Sequence, residues 1–323
     1  MGRVTHYDTV QMLTYLHSYR ENVAKYYVTV TAGQTHTIQS LGVSAATVVS
    51  WGDGLSNEYT GTATRTHVYA GAGTYCVKIY TPENVMTFDL RNEVAVSVLN
   101  SADLKLMVNV STLIIYTLPN ASITLNSADM VDWRLSTFNL YNLSNATGTL
   151  NSADMVDWRL NIFSLFNLPN ATGTFNSADM VDWRPSTFYL NTLPDATITL
   201  NSADMVDWRP STFYLYNLPN ATVTIAPSSI KNWSTLSELQ LRTGNLTQPQ
   251  VDLILWECYQ IARTATDGTI NMNIAGNAAP SGTFQPCQSP PVSATTPGKE
   301  IAYELKNDSL GKGFNKWATV STN

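Results

Sequence analysis

The chain has 323 residues, of which 13% are charged, and it carries a formal net charge of −6. This length is enough for two or three domains, and a total of only 18 lysines and arginines argues against a nucleic-acid surface. Low charge together with abundant Thr, Asn and Ser is typical of extracellular or virion β-proteins rather than of cytosolic enzymes.

Cysteine usage and hydropathy limit the class of protein further. The three cysteines lie far apart, and their odd number argues against a disulfide framework. No apolar stretch reaches the roughly 18 residues of a transmembrane helix, so we expect no membrane span. The N-terminus lacks a basic start that leads into an apolar run, so we expect no export by the ordinary secretory route. A virion protein that is released by lysis would not need that route.

The first predicted element is a helix at residues 1–26. Apolar residues recur at helical spacing from Tyr7 to about Lys25, for example Val10, Leu13 and Leu16. Two interpretations are open. The helix could pack on the following domain, or it could dock the protein into a larger assembly.

Residues 27–82 are predicted to form strands around one distinctive turn. Thr and Val alternate from Tyr27 to Thr31, and a second β-rich run precedes the sequence Trp51-Gly-Asp-Gly54. The two glycines of this sequence permit positive φ, and Asp53 can accept hydrogen bonds from the amides of the turn.

The same turn carries a family resemblance. Together with Thr66-His-Val-Tyr69 and the run Gly73-Thr-Tyr-Cys-Val77, it resembles the PKD domain, an immunoglobulin-like β-sandwich. The resemblance implies a sandwich over 27–82 and a structural hydrogen bond for His67. A calcium ligand is the alternative role for Asp53, although one carboxylate is few for a cation that takes six or more oxygens.

Residues 83–245 are predicted to be a repeat region. The block Asn-Ser-Ala-Asp-Met-Val-Asp-Trp-Arg occurs four times at a spacing of 25 residues, starting at Asn126, Asn151, Asn176 and Asn201. A fixed period of this kind indicates a solenoid, a propeller or an array. A propeller blade needs about 40 residues, so the shorter period favours a solenoid.

Each repeat contains two predicted strands and one turn. Phe138 and Leu140 alternate with polar residues, which predicts a half-buried strand. The predicted inward rings are Phe138, Phe163, Phe188 and Phe213. Met130 and Trp133 are three residues apart, so one helical turn would direct both into the core. The predicted buried, stacked indoles are Trp133, Trp158, Trp183 and Trp208.

The strand sequence Leu135-x-x-Phe138-x-Leu140-x-x-Leu143 resembles a leucine-rich repeat. The last turn, at 236–247, is the nearest match, and the helix and strand predicted at 246–279 are similar to the terminal cap of leucine-rich repeat proteins of bacteria and their phages. The resemblance covers about 84–280 and implies parallel strands with one exposed sheet face. The middle copies depart from it, because Phe replaces the first strand Leu and Asn-Ser-Ala-Asp occupies the turn.

The predicted exposed face is the candidate binding site. Among the repeats, the residues that alternate with the buried pair vary, and many of them are aromatic. Such residues are typical of a recognition surface, although neutral drift on a strand surface is an equal alternative. The candidate residues are Tyr116, Tyr141, Phe166, Tyr189, Tyr214 and Tyr216.

Residues with catalytic or metal-binding chemistry form no recognisable motif. The four histidines precede the repeats, and no phosphate loop or paired cysteine motif occurs. The repeated carboxylates could form rows, in the pairs Asp129 with Asp132, Asp154 with Asp157, Asp179 with Asp182, and Asp204 with Asp207. A calcium site there is one interpretation, and we favour a structural role in which the second Asp pairs with a neighbouring Arg. We therefore expect no catalytic residue, no metal and no cofactor.

The remaining patterns concern turns and the C-terminal end. Asn-x-Ser/Thr triplets recur, as at Asn145, Asn170 and Asn220, and we interpret them as turn chemistry rather than as glycosylation sites. Residues 280–323 are predicted to be a linker and tail, with a short helix at 299–306 and a last strand at 316–320. Such a tail could cover the open end of the solenoid.

The predicted fold is therefore mainly β. It comprises an N-terminal helix, a PKD-like sandwich, a leucine-rich-repeat-like solenoid with a helical cap, and a tail. The predicted function is that of a non-enzymatic structural or adhesion protein of a phage virion, as a decoration, fibre or tail-associated component. The alternative is a bacterial surface adhesin or extracellular filament subunit. Expected partners are other virion or surface proteins, a host-surface glycan or protein, or further copies of the chain.

Overall fold

The computed structural model describes residues 22–242, 245–261, 270–274, 276–310 and 317–321. The chain divides into two compact units, residues 1–135 and 136–323. Strands make up 41% of the chain and helices 17%, which confirms the prediction of a mainly β protein. No helix within the described ranges has both the length and the apolar character of a membrane span.

The described part of the first unit contains eight strands, β1 to β8, at Val23–Val30, Thr35–Ser50, Ser56–Val68, Gly73–Tyr80, Val85–Arg91, Val96–Asn100, Thr112–Tyr116 and Ser122–Thr124. It also contains the one-turn helix α1 at Ser101–Leu104 and 3-10 turns at Pro82–Asn84 and Ser127–Met130.

The strands of the second unit are β9 to β19, at Thr137–Tyr141, Ala146–Thr149, Ile162–Phe166, Asn170–Asn176, Thr187–Asn191, Ala196–Asn201, Thr212–Tyr216, Ala221–Thr224, Glu238–Arg242, Ile270–Asn273 and Trp317–Ser321. Its helices are α2 at Gln248–Tyr259 and α3 at Gly298–Asn307, and its 3-10 turns are at Ser152–Met155, Ser177–Met180, Ser202–Met205 and Ile230–Asn232.

The first strand corrects the predicted N-terminal helix. A helix was expected to extend to residue 26, but Val23–Val30 is a strand that pairs antiparallel with β4. Ala24, Tyr26 and Val28 are fully buried, so the apolar residues here follow a period of two, which fits a strand and not a helix. The rest of the predicted helix, residues 1–21, lies outside the described residues.

Antiparallel pairing gives way to parallel pairing at β5 and β6. On one side, β5 pairs antiparallel with β2 and β6 pairs antiparallel with β1. On the other side, the same two strands pair in parallel with β7 and β8, respectively. The predicted domain boundary between residues 82 and 83 therefore lies next to two strands, each of which pairs antiparallel on one side and parallel on the other.

The second unit begins with a solenoid-like parallel repeat. In the first sheet, β9, β11, β13, β15 and β17 pair in parallel, so that Phe163 lies beside both Phe138 and Phe188. In the second sheet, β10, β12, β14 and β16 also pair in parallel. There Thr149 lies beside Thr172, which is a shift of two residues from the repeat register.

Aromatic rings fill the space between the two sheets. The centroids of Phe163 and Phe188 are 5.5 Å apart, and Phe188 stacks on Phe213 at 5.3 Å. Trp183 and Trp208 lie 5.1 Å and 5.2 Å from the Phe rings of the preceding repeat. Trp133, Trp158, Trp183 and Trp208 are all 0% exposed, so each indole occupies the same buried place in its own turn.

A left-handed residue follows each of the strands β9, β11, β13 and β15 in the first sheet. Asn142, Asn167 and Asn217 have φ values of 56°, 53° and 52°, and Thr192 has 55° in the equivalent place. Asn tolerates this conformation better than a β-branched residue does. The side-chain amide of Asn167 donates a 2.7 Å hydrogen bond to Oδ1 of Asn142, which ties adjacent repeats together.

Replacing Thr192 by asparagine is expected to raise the free energy of unfolding by about 1 kcal/mol, because it removes a β-branched side chain from the left-handed region. The new side-chain amide could replace Oγ1 of Thr192 as the acceptor from Nδ2 of Asn217, which lies 3.3 Å away. Urea denaturation followed by circular dichroism measures the change. Thr192→Ala is the control, since alanine does not share the tolerance of asparagine for the left-handed region. An asparagine variant no more stable than the alanine variant would contradict this account.

Side-chain hydrogen bonds close the second sheet at its C-terminal end. Helix α2 begins with a capping box between Thr247 and Gln250. Nε2 of Gln250 also donates a 3.0 Å hydrogen bond to the carbonyl oxygen of Val223, which lies in β16, the last strand of the second sheet. The first sheet continues through β18 to β19 by parallel pairing. Helix α3 and strand β19 confirm the helix and strand predicted for the tail.

Buried carboxylates hold the segment before α3. Glu304 accepts hydrogen bonds from the backbone amides of Cys287 and Leu310, and Glu300 accepts one from the amide of Gln288. Both glutamates are buried. The Pro- and Ser-rich stretch that was predicted as a linker is thus fixed by specific backbone contacts in the described part of the chain.

Candidate binding face

The outward residues of four parallel strands form the candidate site. In β9, β11, β13 and β15 the second and fourth residues are buried, so the third and fifth residues lie on the outer face. Register places these residues in two columns. The first column holds Asn139, Ser164, Tyr189 and Tyr214, and the second holds Tyr141, Phe166, Asn191 and Tyr216.

Four of these side chains form one aromatic ridge, which comprises Tyr141, Phe166, Tyr189 and Tyr214. Tyr141 and Phe166 are stacked with centroids 4.3 Å apart, Phe166 and Tyr189 are stacked at 5.8 Å, and Tyr189 and Tyr214 are tilted at 5.1 Å. The ridge changes from the second column to the first between Phe166 and Tyr189. Neighbouring rings cover one another, and each of the four side chains is half-buried.

Small polar residues lie on either side of the ridge. Asn139 and Ser164 occupy the first column beside Tyr141 and Phe166, and Asn191 occupies the second column beside Tyr189. Ser164 is 8% exposed and Asn191 is 6% exposed, so these residues lie below the rings.

Among the described side chains of this face in the second unit, the charged ones lie on β17. The hydroxyl of Tyr214 donates to Glu238, and the guanidinium of Arg242 lies 4.4 Å from the ring centroid of Tyr216. Burial raises the pKa of Tyr214, and the hydrogen bond to the Glu238 carboxylate raises it further. Tyr214 therefore stays protonated and acts as a hydrogen-bond donor. Tyr216, which is 36% exposed, is the most exposed of these aromatic side chains.

Tyr116, the remaining candidate, belongs to the first unit. It is the last residue of β7, where it lies beside Arg91 of β5, and its side chain is half-buried.

The repeated carboxylates have structural partners. Oγ of Ser152 donates a 2.6 Å hydrogen bond to Asp179 of the next repeat and accepts one from the backbone amide of Asn176. Ser177 makes the same two contacts with Asp204 and the amide of Asn201. We call these contacts the serine bridges. Sequence reasoning missed them, because each serine finds its aspartate in the next repeat and not in its own turn.

The outer carboxylates and the arginine row lie at the surface. The predicted pairing between rows occurs for Arg184 and Asp207, at 3.7 Å, with both side chains well exposed. Arg184 also donates to the carbonyl oxygens of Val181 and Trp183, at the end of its own turn. Among the described residues, no group of three or more His, Cys, Asp or Glu side chains is arranged to hold a metal ion.

The Trp-Gly-Asp-Gly turn is a hydrogen-bonded cluster. Oδ1 of Asp53 accepts from the amide of Leu55 at 3.0 Å, and Oδ2 lies 2.7 Å from Nε2 of His67. The His67 ring stacks on Trp51 with centroids 4.9 Å apart. Burial alone would raise the pKa of Asp53, but the hydrogen bonds from His67 and Leu55 outweigh it, so that the pKa is lowered. Both carboxylate oxygens are engaged, which favours the structural role over a calcium ligand.

Replacing Asp53 by asparagine is expected to lower the free energy of unfolding by about 1–2 kcal/mol at neutral pH, because the charge-assisted bond to His67 is lost. Since the folded pKa lies below the ordinary 3.8, this stabilisation is present above that value and is lost as the pH falls through the folded pKa. Urea denaturation of both proteins across this pH range measures the difference. A gap that stays constant into strong acid would contradict the assignment.

The Asn-Ala-Thr triplets connect one repeat to the next. Nδ2 of Asn170 donates to the carbonyl oxygen of Ser144 at 2.8 Å, and Nδ2 of Asn220 donates to that of Pro194 at 2.7 Å. In these two triplets the nitrogen that a glycan would modify is a donor to the backbone, which supports the interpretation as turn chemistry.

Comparison of the chain with protein-family models, curated proteins and solved structures finds no match.

Proposed function

We propose that this chain is a non-enzymatic structural or adhesion protein of a phage virion, a decoration, fibre or tail-associated component that displays its parallel repeat for binding. The aromatic ridge is the observation that carries the proposal. Its four rings lie outside the core that Phe138, Trp158 and their equivalents already fill, so stability of the repeat does not require them there. A rigid aromatic surface of this kind suits recognition.

The finer family assignments belong to the same proposal. A PKD-like sandwich over 27–82 and a leucine-rich-repeat-like solenoid over 84–280 are modules that phage structural proteins and bacterial surface proteins combine. The antiparallel strands of the first unit, the parallel repeat and the C-terminal helices are compatible with both assignments. The bacterial adhesin or extracellular filament subunit remains the alternative function.

The exposed parts of the aromatic rings favour a protein partner over a glycan. Sugars pack against the open face of an aromatic ring, whereas Tyr141 and Phe166 cover each other at 4.3 Å. The hydroxyls of Tyr189 and Tyr214 are engaged with Asn191 and Glu238, so the uncovered parts of the rings are what this face offers. Aromatic edges make edge-to-face contacts with other side chains, so a surface of protein side chains is the better match.

Electron microscopy of the source particle tests where the protein works. Gold-labelled antibody against the purified chain is applied to virions and to the surfaces of host cells. Discrete label on capsids or tails is the expected result. Label on free fibres or on uninfected bacterial cells would instead identify the chain as a filament subunit or adhesin.

Changing Tyr189, Tyr214 and Tyr216 together to serine is expected to weaken attachment by about tenfold or more, since aromatic anchors dominate many interfaces. Attachment is measured as binding of the labelled protein to the source particles or host cells. Folding should persist, because a stacked pair contributes only about 0.5–1.5 kcal/mol beyond its burial.

The matched control changes Thr197, Thr199 and Thr222 to serine. These threonines are exposed on the second sheet and should leave attachment unchanged. If the tyrosine variant stays folded and attaches as well as the wild type, the aromatic ridge is not the recognition surface.

A further inference from the structure

The outer face of the first sheet carries two charged side chains on its strands β9, β11, β13, β15 and β17. They are Glu238 and Arg242, at the two ends of β17. We propose that Arg242, which lies against the ring of Tyr216, is an anchor for a carboxylate of the partner protein, supplied by an Asp or Glu side chain. This inference rests on the proposed function and goes further by naming the chemistry of the partner.

The two charges of this face differ in what already binds them. The carboxylate of Glu238 accepts a hydrogen bond from the hydroxyl of Tyr214. Arg242 is half-buried, and no carboxylate of the described residues pairs with its guanidinium. Its Nε is covered and makes no hydrogen bond. Because a charge that is partly withdrawn from water is costly unless it is paired, an added carboxylate would stabilise Arg242.

Tyr216 holds the guanidinium in place before any partner binds. Cζ of Arg242 lies 4.4 Å from the centroid of the Tyr216 ring, and the amide of Asn217 donates to the backbone carbonyl oxygen of Arg242 at 3.4 Å. Contact with a ring uses no oxygen acceptor, so the terminal N–H groups keep their capacity to bind a carboxylate as a fork. A side chain that is restrained in advance loses less conformational entropy on binding.

Glu238 is too far from Arg242 to repel such a partner strongly. The two residues are four positions apart on one strand, which corresponds to about 13 Å at about 3.3 Å per residue. This separation exceeds the screening length of about 8 Å at physiological ionic strength. In the column of Arg242, the neighbours Tyr216 and Asn191 are uncharged. An approaching carboxylate therefore meets a cation without an adjacent acidic group on these strands.

A single cation suits a protein carboxylate better than a phosphate polymer. Nucleic acids and similar polyanions are held through several cations, and the net charge of −6 disfavours them further. A carboxylate needs one guanidinium, with which it forms two parallel hydrogen bonds. Tyr214 of the aromatic ridge lies on the same strand as Tyr216, so an acidic residue with apolar or aromatic neighbours fits this end of the face.

Attachment to the source particles or host cells tests the anchor, with the full-length chain as the probe. Arg242→Gln should weaken attachment about tenfold, because a charge-assisted pair is lost. Arg242→Lys keeps the charge without the planar fork and should give an intermediate value. The matched control Lys306→Gln removes one positive charge from an exposed position of α3 and should attach like the wild type. Circular dichroism verifies that each variant folds.

Amidation of the particles or cells with a carbodiimide and methylamine identifies the partner group, since it converts Asp and Glu side chains into neutral amides. The wild type should then attach as weakly as Arg242→Gln, whereas the variant should respond little to the treatment. The anchor is overturned if Arg242→Gln attaches as tightly as the wild type, or if amidation weakens the variant as much as the wild type or weakens neither.

The variant with Tyr189, Tyr214 and Tyr216 changed to serine separates this failure from that of the proposed function. If that variant loses attachment while Arg242→Gln retains it, only the carboxylate anchor is overturned. If both retain attachment, recognition by the aromatic ridge is overturned as well. A wild type that attaches to neither particles nor cells would overturn the proposed function and the anchor together.

Discussion

Replacing Trp183 by alanine is expected to lower the free energy of unfolding by about 3–5 kcal/mol. The indole is 0% exposed, lies 5.1 Å from the Phe163 ring and donates to the carbonyl oxygen of Met155. Its removal would leave a cavity between two repeats that neighbouring side chains can fill only in part. Urea denaturation followed by circular dichroism measures the loss.

The control is Val181→Ala, two residues earlier in the same turn. Val181 is 46% exposed, so its truncation should change stability by no more than about 0.5 kcal/mol. A Trp183→Ala variant that loses less than about 1 kcal/mol would mean that the tryptophans do not support the repeat in the way described.

Replacing Ser177 by alanine is expected to cost about 2–4 kcal/mol, although only one oxygen atom is removed. Ser177 is fully buried, and its hydroxyl joins the carboxylate of Asp204 to the amide of Asn201. Alanine would leave both groups without this partner. Asp204 is half-buried, and leaving a partly desolvated carboxylate unsatisfied costs more than the lost bond itself.

A double-mutant cycle with Asp204→Ala isolates the contact. If the serine bridge acts as described, the two single variants and the double variant should show a coupling energy above about 1 kcal/mol. Strictly additive losses would show that the two side chains contribute separately. Ala178→Ser, at the adjacent exposed position, serves as the control for a change of the same size.

The parallel repeat could be predicted from the sequence because its signal is local and recurs. Phe188 and Leu190 alternate with outward residues, and the period is identical in successive copies. The serine bridges could not be predicted, because Ser177 finds its partner Asp204 in the next repeat. Within a single turn, the same serine fits equally well as an ordinary cap.

One wrong prediction and one feature that the sequence does not reveal have physical causes. The predicted N-terminal helix was wrong at residues 23–26, where apolar residues fit both periods over a short run and pairing with β4 decides for the strand. Gly173 stands where the next repeat has the buried Ile198. It adopts φ +149°, and an added Cβ would clash with the carbonyl oxygen of Leu150. Sequence alone does not reveal this close approach of two backbones.

The outward columns could be assigned from the sequence, but the aromatic ridge could not. Alternation predicted that Phe166 and Tyr189 lie outside, yet these two residues belong to different columns. Their contact at 5.8 Å depends on the directions of the side chains and on the small residue at Ser164. Neighbouring rings also cover one another, so the face is less exposed than a row of isolated tyrosines would be.

The links between successive repeats reuse the same atoms, and this makes the chain extensible. A serine hydroxyl joins an aspartate one repeat ahead, and an asparagine amide reaches a carbonyl one repeat behind. Each 25-residue unit therefore offers its successor the surface that it received from its predecessor. Recombination between near-identical copies could add or remove a unit without creating a mismatched joint. The reach of the protein would then change in steps of about 4.8 Å, the spacing between strands, so its length can vary among descendants while its cross-section is preserved.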